Sequence, residues 1–170
     1  MTKYLLDANV FMTASDSHYD FDVCPAFWDW LAVQNTAGKV FSIARVKQEL
    51  VAKQVRVSRW AQSLGSEFFL DPSEDWQPAL DQVATWVRSQ NYQRSSVEKF
   101  LKMEETSPAD YYLIAHALHG GFLVVTHEVR ANSPTKIKIP NVCDGVSVKV
   151  ISPYQMLRAE KARFVLDTGK

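Results

Sequence analysis

Four acidic residues, spread along the chain, have the types and positions needed to bind a divalent metal ion. Asp7 and Glu128 each come just after a short apolar run typical of a β-strand, and Glu49 and Asp110 each fall in the first turn of a predicted helix. Carboxylates gathered at one place repel one another and have raised pKa values unless a cation neutralises them. Because all these ligands are oxygen atoms, the ion expected with them is Mg²⁺ or Mn²⁺.

The elements predicted around these acids would bring them to one edge of a β-sheet. Apolar runs indicate strands over 4–6, 40–43 and 122–126, the last of them buried on both faces. One helix is predicted over 46–64, and another begins at Ser107-Pro108, with the serine as N-cap and the proline at the first helical position. In a parallel sheet, the carboxyl ends of the strands and the N-termini of neighbouring helices share one rim, where ligands bind.

The rest of the chain continues the alternation of strands and helices. One helix is predicted to begin at Pro25, and a separate helical pattern covers 76–102. A late strand is predicted over 146–151 and a last helix over 154–163. This alternation predicts an α/β fold of three layers, α/β/α, with a central and mainly parallel sheet. At this length we expect a single domain that spans 1–170.

Composition and charge disfavour several classes of protein. The hydrophobic fraction of 46 % predicts an ordered globular chain, because disordered chains lack the apolar residues that offset chain entropy. No apolar stretch approaches the ~20 residues that span a bilayer, and the N-terminus lacks a secretion signal, so we expect a cytoplasmic protein with no membrane partner. Lys plus Arg and Asp plus Glu each number 19, and this balance counts mildly against nucleic-acid binding. A cluster of acids at one site would, however, offset basic residues elsewhere.

Each of the four acids also has an ordinary structural interpretation. Asp7 could be a turn residue or a helix cap, and Glu49 could be a solvated helix residue. Asp110 could simply favour the positive end of its helix. Glu128 could pair with a neighbouring cation such as Arg130. Their shared placement on the predicted elements is what favours a common site.

Four short motifs link the chain to a known family. In chain order they are Leu6-Asp7-Ala8-Asn9, Val46-Lys47-Gln48-Glu49-Leu50, Ser107-Pro108-Ala109-Asp110 and Thr126-His127-Glu128. The chain thereby resembles the PIN domain, whose members carry an Asp after the first strand, a Glu on an early helix, an Asp opening a mid-chain helix, and an acid in a Thr-x-Asp motif. Glu128 departs from the commoner Asp of that last motif. Tyr19 and the segments 25–31 and 138–143 look like those of a bacterial branch of PIN-like proteins.

The resemblance implies an activity and a set of partners. PIN-like domains include the VapC-type toxins of toxin–antitoxin pairs, so the implied activity is that of a Mg²⁺- or Mn²⁺-dependent endoribonuclease acting on single-stranded RNA. Besides RNA, the candidate partners are an antitoxin protein and a second copy of the chain in a homodimer. A metal held by Asp7, Asp110 and Glu128 would polarise the scissile phosphate and lower the pKa of a bound water. Glu49 could ligate a second ion or orient the nucleophile.

Further residues are expected to support these acids. Asn9 and Thr126 are predicted to hold the carboxylates by hydrogen bonds. Four basic residues fall on the helix predicted after the second strand: Lys47, Lys53, Arg56 and Arg59. They could line a groove for RNA, although a solvated helix face is the equally simple interpretation.

Two other functions fit the same sequence. A PIN-like scaffold without catalysis could serve as a nucleic-acid-binding or protein-binding module, and measured metal binding would separate it from an enzyme. A flap-type DNA nuclease is a third interpretation, which the short chain and the small number of acids disfavour. The sequence contains no glycine-rich phosphate loop and no Gly-x-Ser-x-Gly elbow, which disfavours NTPases and serine hydrolases.

Overall fold

A computed structural model describes residues 1–53, 55–102 and 108–165 of the chain. Within these ranges, five strands form one sheet in the order β3-β2-β1-β4-β5, and all neighbouring strands are parallel. The strands are β1 Tyr4–Leu6, β2 Val40–Ile43, β3 Phe69–Leu70, β4 Leu123–Val125 and β5 Val150–Ile151.

The α-helices of the described residues alternate with these strands. They are α1 Ala8–Thr13, α2 Pro25–Thr36, α3 Ala44–Lys53, α4 Val55–Gln62, α5 Gln77–Ser89, α6 Arg94–Phe100, α7 Asp110–Gly120, α8 Ile139–Gly145 and α9 Pro153–Ala159. Two shorter helical segments complete the description, a π-helical turn over 14–18 and a 3₁₀ turn over 74–76. Within the described ranges, no helix combines the length and the apolar character needed to cross a bilayer.

The strand order reverses direction between β1 and β4. From β1 the chain moves outward through β2 to β3, returns to the other side of β1 to form β4, and ends the sheet with β5. Right-handed crossovers then place the helices between β1 and β3 and those between β3 and β5 on opposite faces. The helix contacts agree, since α1, α3 and α4 touch in one group and α5, α7 and α8 in another. The predicted three-layer α/β/α fold is therefore confirmed, with a sheet whose described strands are all parallel.

The two central strands are buried because their side chains are apolar on both faces. Tyr4, Leu5 and Leu6 of β1 are at most 2 % exposed, and Val124 and Val125 of β4 are fully buried. Layers on both faces of a parallel sheet exclude water from its centre and leave the strand ends as the accessible edge. The first polar residues after these strands therefore lie where a ligand can reach them.

The first structural difference from the sequence prediction lies in the connection between β2 and β3. A single helix was expected over 46–64, but α3 begins at Ala44, directly after β2, and α4 is a separate helix that contacts α3. Alanine favours helix, so the helix starts as soon as the strand ends. Glu49 consequently lies in the second turn of α3 rather than in the first.

Other differences lie in the second half of the chain. Pro108 precedes α7 instead of opening it, because the helix begins at Asp110, and the expected N-cap Ser107 lies outside the described residues. The apolar run from Ile139 forms helix α8, whose second residue is a proline with φ suited to a helix start. The late strand shrinks to β5 because α8 extends to Gly145 and the backbone then turns through Ser147, with φ of 61°.

We predict that Gly121→Ala lowers the free energy of unfolding by about 1–2 kcal/mol. Gly121 ends α7 in the left-handed conformation, with φ of 67°, and its amide donates to the carbonyl of Ala117. An added Cβ would meet no atom within 4 Å, so the cost is conformational and not steric. Gly121→Asn is the matched control, because asparagine tolerates this conformation, and it should lose less. Urea unfolding in which alanine matched wild type would contradict this account of the turn into β4.

Candidate active site

Asp7 is fixed at the point where the strand order reverses. Its amide donates to the carbonyl of Val125 across 3.0 Å, which anchors the end of β1 to the end of β4. The residue occupies the N-cap position of α1, but its side chain makes none of the usual capping hydrogen bonds. Its carboxylate instead accepts a hydrogen bond of 2.8 Å from the hydroxyl of Thr126, and the residue is 5 % exposed. The interpretation of Asp7 as an ordinary helix cap therefore does not fit.

The Thr126 hydroxyl orients Asp7 because all its hydrogen-bonding capacity is used. Its oxygen accepts from Asn9 Nδ2 at 2.9 Å and from the amide of Glu128 at 3.0 Å, so its single proton is left for Asp7 Oδ2. The other end of the Asn9 amide, Oδ1, accepts from the amide of His127 at 3.0 Å. Thr126 therefore binds a carboxylate directly, whereas Asn9 reaches Asp7 only through the Thr126 hydroxyl. Together these hydrogen bonds join the ends of β1 and β4.

Asp110 is the partner that makes the environment of Asp7 electrostatically unfavourable. It is the first residue of α7 and is half-buried. Burial and the charge of Asp110 raise the pKa of Asp7 to about 8, against the lowering effect of the Thr126 hydrogen bond. Burial and the charges of Glu128 and Glu49 raise the pKa of Asp110 to about 7. Asp110 therefore lies within electrostatic reach of the three other predicted acids. Asp7 and Glu128 also interact with each other, and Glu49 joins the group through Asp110.

Glu128 is already neutralised by a cation of the protein itself. Its Oε1 pairs with Lys138 Nζ at 2.5 Å, and its Oε2 accepts from the amide of Ile139, the first residue of α8, at 2.9 Å. Arg130, the partner considered from sequence, pairs with Asp144 instead. The Lys138 ammonium also lowers the pKa of Asp110, so it acts as a counter-charge for the whole acidic group.

Glu49 connects α3 to the start of α7. Its Oε1 accepts a hydrogen bond of 2.7 Å from the amide of Ala109, the residue before Asp110. Its charge contributes to the raised pKa of Asp110. In this arrangement, Glu49 fixes the position of the α7 N-terminus, and with it the backbone of Asp110.

A cavity of about 370 Å³ opens onto two of these acids, Asp110 and Glu128. Three lysines, Lys99, Lys136 and Lys138, also line it. Its volume is in the range usual for ligand pockets. The acids are therefore accessible from a space that is large enough for part of a substrate and is rich in positive charge.

The donor atoms fit a hard divalent cation in their chemistry. They are carboxylate oxygens, and the raised pKa values of Asp7 and Asp110 mean that their negative charges are not fully compensated by the protein. In the part of the chain that the structure describes, no three His, Cys, Asp or Glu side chains converge closely enough to hold a metal ion as they stand. The carboxylates of Glu128 and Glu49 are bound to Lys138 and Ala109, and Asp7 and Asp110 are the two acids of the group whose pKa values are raised.

Two of the basic residues suggested as an RNA groove, Lys47 and Arg56, contact other parts of the chain. Lys47 Nζ donates to the carbonyl of Leu64 at 2.5 Å, and Arg56 forms ion pairs with Asp20 and Asp22. The side chain of Lys53 lies outside the described part of the structure. Neither Lys47 nor Arg56 is brought to the acids by a described contact, and the role of the four basic residues in binding RNA stays a prediction.

The lysines of the cavity were missed in the sequence. Lys136 and Lys138 alternate in the loop before α8, so in an extended segment they face the same way, and this spacing was the available signal. For Lys99 there was none, because it reaches the cavity only through the packing of α6.

Fold and site together define a doubly wound α/β domain with an acidic site where the strand order reverses. The model of a family described as a domain of unknown function, DUF4411, matches residues 4–164, and the chain belongs to this family. No curated protein and no solved structure matches the chain.

We predict that the two aspartates make the metal-free protein less stable as pH rises. Their folded pKa values, about 8 and about 7, lie above the ordinary value of 3.8, so the folded state holds more protons than the unfolded state between these limits. Stability from this source is present at low pH and is lost as pH rises toward 8. In EDTA, Asp7→Asn should therefore raise the melting temperature relative to wild type more at pH 8 than at pH 5.

The difference between the two proteins is the informative quantity. His116 and His127 have lowered pKa values because of burial and a neighbouring histidine each, and they favour the folded state as pH rises, which opposes the aspartates. Both histidines are present in wild type and variant, so their contribution cancels in the difference. An advantage of Asp7→Asn that stayed constant or shrank toward pH 8 would contradict the assigned raised pKa.

Proposed function

We propose that this chain is a Mg²⁺- or Mn²⁺-dependent endoribonuclease that hydrolyses phosphodiester bonds in single-stranded RNA. The observation that carries the proposal is the pair Asp7 and Asp110, held within electrostatic reach of each other at the reversal of the strand order, with raised pKa values. Strongly perturbed carboxylates in a cleft are characteristic of functional sites, because a protein gains no stability from them. The lysine-rich cavity beside them suits a phosphate-bearing substrate.

The residues of the chain would divide the work of hydrolysis. Asp7 and Asp110 would hold the metal, and Glu128 would join them on leaving Lys138. When bound, the ion would supply Lewis-acid activation of the phosphate and lower the pKa of a water molecule. Thr126 keeps Asp7 in one orientation, and Glu49 keeps Asp110 in place through the backbone of α7.

The choice of RNA as substrate rests on the PIN-like motifs of the sequence. The same resemblance supports the role of toxin in a toxin–antitoxin pair, with an antitoxin protein and a second copy of the chain as proposed partners. The short segments that carry these motifs are the ones that contribute Asp7, Glu49, Asp110 and Glu128 to the site.

A second candidate function is a binding module without catalysis, and one observation favours it. The Lys138 ammonium pairs with Glu128 and lies within electrostatic reach of Asp110, so the protein carries part of its own counter-charge. A scaffold that never bound metal would need such a cation permanently. The two candidates differ in what a divalent ion does to the folded protein.

We predict that Asp7→Asn and Asp110→Asn each abolish Mn²⁺-dependent cleavage of single-stranded RNA while the fold is retained. The amide keeps the shape of the side chain but loses the charge that would attract the cation. Arg130→Gln is the matched control, because it neutralises an exposed residue whose guanidinium pairs with Asp144 in the described part of the chain. Cleavage is measured with purified protein, and circular dichroism checks the fold. Wild-type rates in either aspartate variant would exclude the site.

We predict opposite shifts in metal requirement for the two members of the Glu128–Lys138 pair. Glu128→Gln should raise the Mn²⁺ concentration needed for half-maximal activity, because a ligand is lost. Lys138→Met should lower it, because the competing ammonium is removed while most of the side-chain stem remains. Glu128→Asp should keep part of the activity. If Glu128 serves only to bind the start of α8, the curve for Glu128→Gln will coincide with that of wild type.

A further inference from the structure

The cavity beside the acids has a wall that is fixed by two hydrogen bonds. The amide of Gln93, just before α6, donates to the carbonyl of Pro134 at 2.8 Å. The hydroxyl of Ser96, on α6, donates to the carbonyl of Thr135 at 3.1 Å. These bonds join the 133–136 loop to α6 and fix the position of the loop relative to the helix. A cavity held in this way does not need to be assembled by its ligand.

Two lysines on this wall have no side-chain partner among the residues that the structure describes. Lys99, in the last turn of α6, and Lys136, in the loop, are both exposed and both line the cavity. Across the described ranges, neither ammonium group forms a hydrogen bond or an ion pair, in contrast to Lys138 beside them, which is bound to Glu128. Positive charge placed on a cavity wall without an internal partner is suited to an anion that comes from outside.

The cavity brings the two lysines and the acids to one space. Asp110 and Glu128 line it together with Lys99 and Lys136. A single small anion could contact the lysines but would gain nothing from the acids. A chain of phosphates can reach both groups, with one phosphate at a cation that the acids would hold and its neighbours near the lysines. The apolar surface of Ile137 lies between the lysines of the loop and is available to a sugar or a base.

We propose that Lys99 and Lys136 bind the backbone phosphates of single-stranded RNA next to the bond that is cleaved, and that the 133–138 loop and α6 form this substrate subsite. The inference rests on the proposed ribonuclease function and adds the path of the substrate. Both lysines are positioning residues, because they contact phosphates that do not react.

The test measures RNA binding and cleavage separately. A short fluorescein-labelled single-stranded RNA of random sequence is titrated with Lys99→Gln, Lys136→Gln and the double variant in EDTA, which withholds the metal required for hydrolysis. Lys149→Gln is the matched control. Lys149 is an exposed lysine just before β5, at the edge of the sheet opposite to the acids.

Each lysine substitution on the wall should reduce the salt dependence of binding. For single strands, the slope of log K against log salt is negative, and it becomes less negative by about 0.7 for each phosphate contact that is lost. The double variant should bind roughly tenfold or more weakly at low salt, an order-of-magnitude estimate for two phosphate contacts. With Mn²⁺ present, KM should rise while kcat stays near wild type, because the contacts are equal in ground and transition states. Lys149→Gln should match wild type in all these measurements.

Different results overturn different claims. If wild type cleaves and binds RNA and the double variant keeps its slope and KM, the subsite is wrong while the proposed function stands. The same conclusion follows if Lys149→Gln loses as much RNA affinity as the wall variants do, since the loss would then come from the overall charge of the protein. If wild type neither binds nor cleaves single-stranded RNA, the proposed function fails and the subsite with it.

Discussion

The repulsion between Asp7 and Asp110 is the constraint on which the rest of the site depends. The fold buries Asp7 and half-buries Asp110 within electrostatic reach of each other, where desolvation and like charge both favour the protonated form. Such a pair opposes folding at neutral pH, so its position must be imposed by stronger interactions around it. The apolar strands β1 and β4, which are buried except at Leu123, and the Val125–Asp7 backbone hydrogen bond provide that frame.

Several polar contacts around the pair respond to the same repulsion. The Thr126 hydroxyl donates to Asp7, the Lys138 ammonium pairs with Glu128 and lowers the pKa of Asp110, and both act against the shifts caused by burial. These contacts reduce the excess negative charge without removing it, since both aspartates keep raised pKa values. A divalent cation is the simplest ligand that would complete the compensation, and an RNA phosphate brought in along the lysine-bearing wall would meet it there.

The sequence was most informative where local pattern determines structure. The apolar runs of β1 and β4 end abruptly at polar residues, and this was enough to predict that Asp7 and Glu128 follow strands of one parallel sheet. The start of a helix close to Asp110 could also be predicted from neighbouring residues. Contacts that depend on distant segments were not predictable: Glu128 binds Lys138 and Ile139 because α8, a helix that was not predicted from the sequence, begins at Ile139. The Glu49 contact with Ala109 likewise required the packing of α3 against the start of α7.

Calorimetry of Mn²⁺ binding near pH 7, carried out in buffers of different ionisation enthalpy, tests the central claim most directly. With pKa values of about 8 and about 7, Asp7 is largely protonated and Asp110 partly so. A cation that binds both must therefore displace protons, on the order of one for each ion bound, and Asp7→Asn should lose most of this release. Absence of binding heat at millimolar Mn²⁺, or binding that released no protons and persisted unchanged in Asp7→Asn, would contradict the account.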